Sequence, residues 1–370
     1  MGIRDYIKSK LADKLAASKA KEMQAGAAAK TDAMRKQDYD AARQSMLGDF
    51  ANTPIAGCPQ CMTSAKAERR AARLKLVNDS MLNCPEHAAE AQRLRADMDE
   101  VENMRCAKQV YIDNDPNAPA DLKTGAPIGF TKATPDQLAD MGLDQDTLTP
   151  PGSEFKAAVY MKDPAVWGED MEPPTIVAFR GSTPAAEDWT NNFHQDANMD
   201  APYYRRAVNI GNTLADNGTD ARLVGHSLGG GLASAAQGGS GLLASTYNSA
   251  GLNSSTVANY SAPGSGHVAA DPASITAIRV KGEILTKTQE SLFGSKGLSV
   301  MANSAVGTKR DIDPVHDPAY LDALKSEGKG AAGDDYSTYL HGMDEVIGSM
   351  EKEKSSDEAT LKACAAKATP

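Results

Sequence analysis

The second half of the chain alternates short apolar runs with amphipathic helical patterns. The apolar runs have the length of buried strands and lie at residues 155–161, 175–179, 221–224, 245–247 and 275–280. Helical spacing of apolar positions occurs at residues 203–216, 228–237 and 343–350. Strands that alternate with helices form a mostly parallel sheet covered on both faces, with reactive groups at the carboxyl ends of the strands. The pattern therefore predicts an α/β fold with its site at that edge.

The first 105 residues follow a different pattern, dominated by Ala and by charged side chains. Apolar or Ala positions recur at three- and four-residue steps over residues 62–77 and 86–110, which indicates helices. A loop-rich stretch with Pro, Gly and Asp occupies residues 112–153. We therefore predict an α-helical region at residues 1–105, an α/β catalytic domain at residues 106–352 and a polar C-terminal tail at residues 353–370.

The net charge and the lack of long apolar runs limit the kinds of partner that the sequence predicts. The 370 residues carry a net charge of −10, which argues against a nucleic-acid-binding protein because phosphates are bound by basic patches. Nowhere does the chain have the run of about 18 apolar residues that a transmembrane helix needs. The N-terminus lacks the apolar stretch of a signal peptide, so we expect a protein made in the cytoplasm without one.

Three of the five cysteines lie in a pattern that allows two interpretations. Cys58 and Cys61 form a CxxC pair, and Cys84 and His87 form a CxxH pair after a gap of 22 residues. Two such pairs resemble a structural zinc site with four ligands. The alternative is that these cysteines are free or disulfide-linked at helix ends, and the sequence leaves both readings open.

The strongest chemical signal is the turn Gly225-His226-Ser227-Leu228-Gly229. A predicted strand precedes this turn and a predicted helix follows it, which is the context that a nucleophile elbow requires. Such an elbow lifts the Ser227 hydroxyl above the sheet, and small flanking residues let the backbone pass its neighbours closely. The amide of Leu228, in the first turn of the helix, would then point at the oxyanion of a tetrahedral intermediate.

A second oxyanion donor is expected where the buried run at residues 175–179 ends in Arg180-Gly181-Ser182-Thr183. Ser182 could donate through both its amide and its hydroxyl. The segments VAFRGS, DW and N-F, followed by LVGHSLGGGLAS, resemble the class 3 (fungal-type) lipases of the α/β-hydrolase fold. Within that group the chain is similar to bacterial phospholipase effectors delivered by type VI secretion systems. The resemblance implies that Ser182 and Leu228 are the oxyanion residues and that residues 184–201 form a lid.

The base should follow the nucleophile and the acid, because α/β-hydrolase triads run in the order Ser, acid, His. His267, His316 and His341 come after Ser227, and His226 within the elbow is expected to be structural. His341 lies in a loop that enters the last helix, and its motif HGMD-x-VI resembles that of the effector lipases. We predict His341 as the base, with His316 as the alternative.

The acid should follow the predicted strand at residues 275–280. Glu283 occupies this place, 56 residues after the nucleophile and 58 before His341. Similar enzymes more often carry Asp there, so Asp311 and Asp313 remain alternatives. The expected mechanism is serine ester hydrolysis through Ser227, Glu283 and His341, with no metal or organic cofactor.

The resemblance implies a phospholipase A-type enzyme that attacks membrane phospholipid and is exported by a type VI system. It further implies an immunity protein in the producing cell and a secretion-spike or chaperone partner for residues 1–105. Two other functions stay open. A soluble carboxylesterase or thioesterase would lack an apolar rim around the site, which could be supplied by Met161, Trp167, Trp189, Phe193 and Met199. A non-enzymatic adaptor would use the core only as a scaffold and should have lost part of the triad.

Overall fold

The structure is a computed structural model that describes residues 3–169, 172–261, 266, 268–290, 303–331 and 335–368. The strands are β1 (Phe130–Lys132), β2 (Ala157–Lys162), β3 (Thr175–Phe179), β4 (Ala221–His226), β5 (Leu243–Tyr247), β6 (Ile275–Val280) and β7 (Thr308–Ile312). The helices are α1 (Ile3–Ala29), α2 (Asp32–Leu47), α3 (Pro59–Asn83), α4 (Ala88–Asp113), α5 (Pro135–Asp140), α6 (Gln145–Leu148), α7 (Pro164–Trp167), α8 (Ala186–Asp196), α9 (Pro202–Asp216), α10 (Leu228–Ser240), α11 (Thr256–Tyr260), α12 (Ile284–Glu290), α13 (Pro318–Ser326), α14 (Tyr336–Tyr339) and α15 (Met343–Ala368).

The seven strands form one sheet in the order in which they occur along the chain. β1 and β2 run antiparallel to their neighbours, whereas β3 to β7 are all parallel. The predicted α/β class with a mostly parallel sheet is therefore confirmed. All five predicted strands are present, and β3 and β6 have the predicted bounds.

Two hydrophobic clusters cover the two faces of the sheet. On one face α9 and α10 pack against β3, β4 and β5, and α10 can approach closely because Gly and Ala dominate its surface. On the other face lie α4, from the N-terminal part of the chain, and α15, its last helix. The second face is thus covered by helices that precede and follow the sheet in sequence.

The helices cross both of the predicted domain boundaries. α4 runs without interruption through residue 105, and its residues Val101 and Met104 are fully buried against the sheet. α15 continues to Ala368, where the sequence pattern predicted a polar tail from residue 353. It remains helical because its polar residues are paired: Asp357, almost fully buried, accepts from Arg93 of α4 at 2.7 Å. Among the described residues, no helix has the length and apolar character that crossing a bilayer requires.

Four of the five cysteines are paired as disulfides, whereas Cys106 is free and buried. Cys58 is bonded to Cys61, and Cys84 is bonded to Cys364 near the end of α15. The two predicted halves of a zinc site lie at opposite ends of α3, whose 25 residues span about 37 Å at 1.5 Å per residue. The four residues therefore cannot surround one ion, and the disulfide alternative is the one that the structure contains.

The Cys84–Cys364 disulfide should contribute strongly to stability because it closes a loop of 280 residues. We expect Cys364→Ser to lower the free energy of unfolding by about 2–5 kcal/mol in oxidising buffer, measured by urea denaturation. The control is Cys61→Ser, which opens a loop of only three residues and should cost much less. Equal stability of wild type and Cys364→Ser in oxidising buffer would contradict the prediction, and a reductant should abolish the difference.

Candidate active site

Ser227 stands on a sharp turn between β4 and α10. Its φ of 57° and ψ of −126° lie outside the regions that a side chain normally allows. The turn is possible because its neighbours are small: a Cβ on Gly225 would overlap the Gly229 carbonyl, and one on Gly229 would overlap the Phe179 carbonyl. The strand, turn and helix predicted around this serine are all present.

Ser227, His341 and Glu283 form one continuous chain of hydrogen bonds. Nε2 of His341 lies 3.0 Å from Oγ of Ser227, and Nδ1 of the same ring lies 2.9 Å from Oε2 of Glu283. Because a carboxylate can only accept, Nδ1 carries the proton and Nε2 is free to receive one from the serine. The structure thus brings together the three residues that the sequence predicted. Ser227 comes from the turn after β4, Glu283 from the loop after β6 and His341 from the loop before α15.

Glu283 is fully buried and is held as a carboxylate. Besides His341, it accepts hydrogen bonds from the amides of Leu285, at 2.9 Å, and Thr286. Burial by itself would raise the pKa of Glu283, but the hydrogen bond and charge of His341 and the bonds from Thr286 outweigh it and lower the pKa. Similar enzymes more often carry Asp at this position. The longer side chain of Glu283 nevertheless reaches the imidazole, and its second oxygen accepts a hydrogen bond from the backbone amide of Thr286.

The alternative triad residues are engaged elsewhere. Nδ1 of His316 lies 2.7 Å from Glu345, and the ring stacks on Tyr320. Asp311 pairs with Arg279 at 2.8 Å, and Asp313 is bonded to Lys281 at 2.6 Å. None of these side chains contacts the Ser227–His341 pair. The remaining candidate, His267, lies outside the described residues.

The two predicted oxyanion residues follow neighbouring strands of the sheet. Leu228 is the first residue of α10, so its amide is one of the helix-terminal N–H groups that have no partner within the helix. Ser182 follows the end of β3, and its Oγ accepts a hydrogen bond from Asn192 at 3.4 Å. Both predicted oxyanion residues thus lie at the carboxyl ends of neighbouring parallel strands, beside Ser227.

Two further residues, Asp188 and Asn248, fix these loops. Asp188, almost fully buried, accepts from the amide of Thr183 at 2.7 Å and from the hydroxyl of Tyr203 at 3.0 Å, which holds the loop after Ser182. Asn248, with a φ of 40°, donates to the carbonyl of His341 at 3.2 Å. The DW motif was a signal for Asp188, whereas nothing in the sequence marks Asn248.

His226 is buried beside the base and was expected to be structural. Its Nε2 lies 2.7 Å from the backbone carbonyl of His341, and the two imidazole rings lie 4.8 Å apart. Burial, followed by the nearby His341, lowers the pKa of His226 well below its ordinary value. His226 therefore stays neutral next to an imidazole that must accept a proton.

Helix α8 occupies the segment expected to act as a lid. It packs against α1, where His194 lies 2.8 Å from Asp13 and Gln24 donates to the carbonyl of Pro184 at 3.1 Å. Of the residues considered for an apolar rim, Trp189 and Phe193 contact each other on this helix.

Asp196, at the end of α8, should make stability depend on pH. Burial raises the pKa of Asp196 to about 7, from 3.8, although Asn303 donates to it at 3.0 Å. Between about pH 4 and pH 7 the folded chain then binds more protons than the unfolded chain, so stability falls as pH rises through this window. Asp196→Asn cannot ionise, and we expect it to be more stable than wild type at pH 8 by about 1–3 kcal/mol, but not at pH 4.

Urea denaturation at both pH values measures this difference. Asp200→Asn, an exposed carboxylate of the same segment that pairs with Arg205, is the matched control. Parallel pH–stability curves for wild type and Asp196→Asn would contradict the prediction.

Comparison with known proteins shows the family to which the chain belongs. Residues 102–318 match the family model for phospholipase-like proteins described as a Tle-like phospholipase domain. The chain is also 30% identical over 254 residues to the extracellular phospholipase A1 of Serratia liquefaciens, a match that covers 67% of this chain and 69% of the relative. The family match includes the elbow and Glu283, whereas His341 lies beyond its end. The chain belongs to the Tle-like phospholipase family.

Proposed function

We propose that this protein is a serine phospholipase of the A type, built on the α/β-hydrolase fold of the class 3 lipases. The observation that carries the proposal is the hydrogen-bonded chain from Glu283 through His341 to Ser227 on a strained elbow, in a member of a phospholipase family. A strained serine held by a base and a buried acid is the arrangement that activates a hydroxyl for attack on an ester.

Acylation begins when Oγ of Ser227 attacks the ester carbonyl and Nε2 of His341 takes its proton. The imidazolium that forms is stabilised by Glu283, which is ionised and fixed by two backbone amides. The amide of Leu228 and the amide and hydroxyl of Ser182 bind the oxyanion of the tetrahedral intermediate. The intermediate collapses, and the alcohol leaves with the proton from His341.

Deacylation repeats these steps with water as the nucleophile. His341 removes a proton from water, the hydroxide attacks the acyl-enzyme, and the fatty acid leaves as Ser227 recovers its proton. Asn192 acts beside the site by holding the Ser182 hydroxyl, because its amide donates to that oxygen. The oxyanion can therefore be bound by the Ser182 hydroxyl proton, since the oxygen is already accepting from Asn192.

Membrane phospholipid is the proposed substrate. The family match supports a phospholipid ester, and the relative from Serratia is a phospholipase A1, which favours cleavage of an acyl ester bond. We propose that residues 184–201, including α8, cover the site and that Trp189 and Phe193 of this helix lie at its lipid-facing rim. The extracellular location in that relative's name supports secretion of this chain.

We further propose that the enzyme is an antibacterial effector of a type VI secretion system. The resemblance of the hydrolase motifs supports this role, and it implies an immunity protein in the producing cell. The helical region at residues 1–105 is the proposed contact for a secretion-spike component or chaperone. Affinity purification from the native host tests this: a bound immunity or delivery protein is expected, and isolation of the chain alone would contradict the effector role.

Phospholipid vesicles that carry a different label on each acyl chain test the proposed activity. We expect wild type to release labelled fatty acid, and the released label identifies the ester bond that is cut. Cleavage of a short-chain soluble ester without release from vesicles would instead support a soluble carboxylesterase. Inactivity on both substrates would contradict the enzymatic proposal and favour the adaptor function.

A further inference from the structure

Tyr111 brings a helix of the N-terminal part of the chain into contact with the elbow. It lies near the C-terminal end of α4, and its Oη is 3.0 Å from Nδ1 of His226, the residue before Ser227. The two residues are 115 positions apart in sequence. Helix α4 thus covers one face of the sheet and also reaches the residue beside the nucleophile.

The direction of each hydrogen bond around His226 can be assigned. Its Nε2 faces the carbonyl oxygen of His341 at 2.7 Å, and a carbonyl only accepts, so Nε2 must carry the proton. His226 is neutral, and therefore its Nδ1 has no proton and accepts from the hydroxyl of Tyr111. Burial raises the pKa of Tyr111, which keeps that hydroxyl protonated. Tyr111 thereby supplies the donor that Nδ1 requires in the tautomer whose Nε2–H donates to His341.

The same hydroxyl also contacts the oxyanion loop. Gly181, the residue before Ser182, packs directly against Oη of Tyr111. The fit is close, because a Cβ at position 181 would overlap both the Tyr111 hydroxyl and the carbonyl of His226. One hydroxyl therefore touches the loop that carries an oxyanion donor and the elbow that carries the nucleophile.

We infer that Tyr111 is a positioning residue of the catalytic site. Through His226 it fixes the backbone of His341, and with it the distance between the imidazole and Ser227. This inference rests on the proposed function, because it assigns a role within that mechanism. Tyr111 itself does not touch the reacting atoms and acts through its neighbours.

The consequence is that α4 belongs to the catalytic unit. Removal of the hydroxyl leaves the buried Nδ1 of His226 without its donor, so the ring is held less firmly and its hydrogen bond to the His341 carbonyl is weakened. A displaced imidazole accepts the serine proton less readily, and small misplacements of this kind cost about 10- to 100-fold in rate. We expect Tyr111→Phe to lower kcat by this factor and to leave KM within about twofold, because the lost hydrogen bond positions the base rather than the substrate.

The test compares Tyr111→Phe with Tyr247→Phe on a short-chain soluble ester. Tyr247 is a matched control, because its buried hydroxyl also bonds to α4, at Glu100, 2.6 Å away. The concentration of active sites is measured by complete reaction with a fluorophosphonate. Because kcat is calculated per active site, unfolded protein does not lower its value. We expect kcat to fall only in Tyr111→Phe, in parallel with the rate of phosphonylation, whereas Tyr247→Phe affects the melting temperature alone.

A double-mutant cycle with His226→Gln shows whether Tyr111 acts through His226. The amide of Gln can donate to the His341 carbonyl without a partner at Nδ1, so Tyr111→Phe should cost no further activity in that background. Unchanged kcat in Tyr111→Phe, an equal loss in Tyr247→Phe, or additive losses in the cycle would each overturn the inference. An inactive wild type would instead contradict the proposed function, and the two failures are therefore distinct.

Discussion

Ser227→Ala should abolish phospholipid hydrolysis, with a fall in kcat of about 10⁴- to 10⁶-fold. The substitution removes the only atom of the triad that forms a bond to the substrate, and His341 then has no hydroxyl to activate. The oxyanion donors at Ser182 and Leu228 remain, so a small residual rate above the uncatalysed reaction is expected. Fatty acid release from labelled vesicles measures the loss.

Ser234→Ala is the matched control for this substitution. Ser234 lies on the same helix as Leu228, is buried and donates to the carbonyl of Gly230 at 3.0 Å, away from the triad. We expect its activity to stay within about twofold of wild type, since the triad is intact. Comparable activity in wild type and Ser227→Ala would show that another residue is the nucleophile.

Glu283→Gln should lower kcat by about 10³- to 10⁴-fold without unfolding the protein. The single oxygen of Gln can replace only one of the two carboxylate oxygens that accept from Leu285 and Thr286, and a neutral amide cannot stabilise the imidazolium of His341. It can also present its NH₂ group to Nδ1 and thereby favour the wrong tautomer of the base. The loss should therefore appear in kcat rather than in KM, when both are measured on a soluble ester.

The controls for Glu283→Gln are the two alternative acids. Asp311→Asn and Asp313→Asn remove carboxylates that pair with Arg279 and Lys281, and both variants should retain full activity. A large loss in either of them, with Glu283→Gln still active, would reassign the acid. The pH dependence of kcat gives a second readout. Because the pKa of Glu283 is lowered, this carboxylate is ionised throughout the neutral range, and the loss of kcat in Glu283→Gln should therefore be the same at every pH in that range.

The central strands could be predicted because they are buried on both faces. β3, buried along its entire length, reads as a continuous apolar run and has the predicted bounds. β1 and β7 were not predicted, since they lie at the two edges of the sheet and expose most of their side chains. An edge strand such as Thr308–Ile312 has no apolar run that distinguishes it from a loop.

The sequence could predict those site residues whose type and chain order the reaction requires. The elbow has a required local geometry, and the base and acid follow from chain order, so Ser227, Glu283 and His341 were identified from sequence. Asn248 and Tyr111 act through contacts with residues about 90–115 positions away, and no local spacing marks them. The Cys84–Cys364 disulfide was missed for the same reason, because its partners meet only when α15 packs beside α3 and α4.

The central claim is that the Ser227 hydroxyl is the nucleophile, and covalent capture of that oxygen tests it most directly. Wild type would be incubated with a fluorophosphonate, digested, and analysed by mass spectrometry to locate the adduct. We expect one adduct per molecule on Ser227, formed at a much lower rate in His341→Ala, with loss of ester hydrolysis in proportion to labelling. An adduct on another residue, or continued hydrolysis after complete labelling of Ser227, would contradict it.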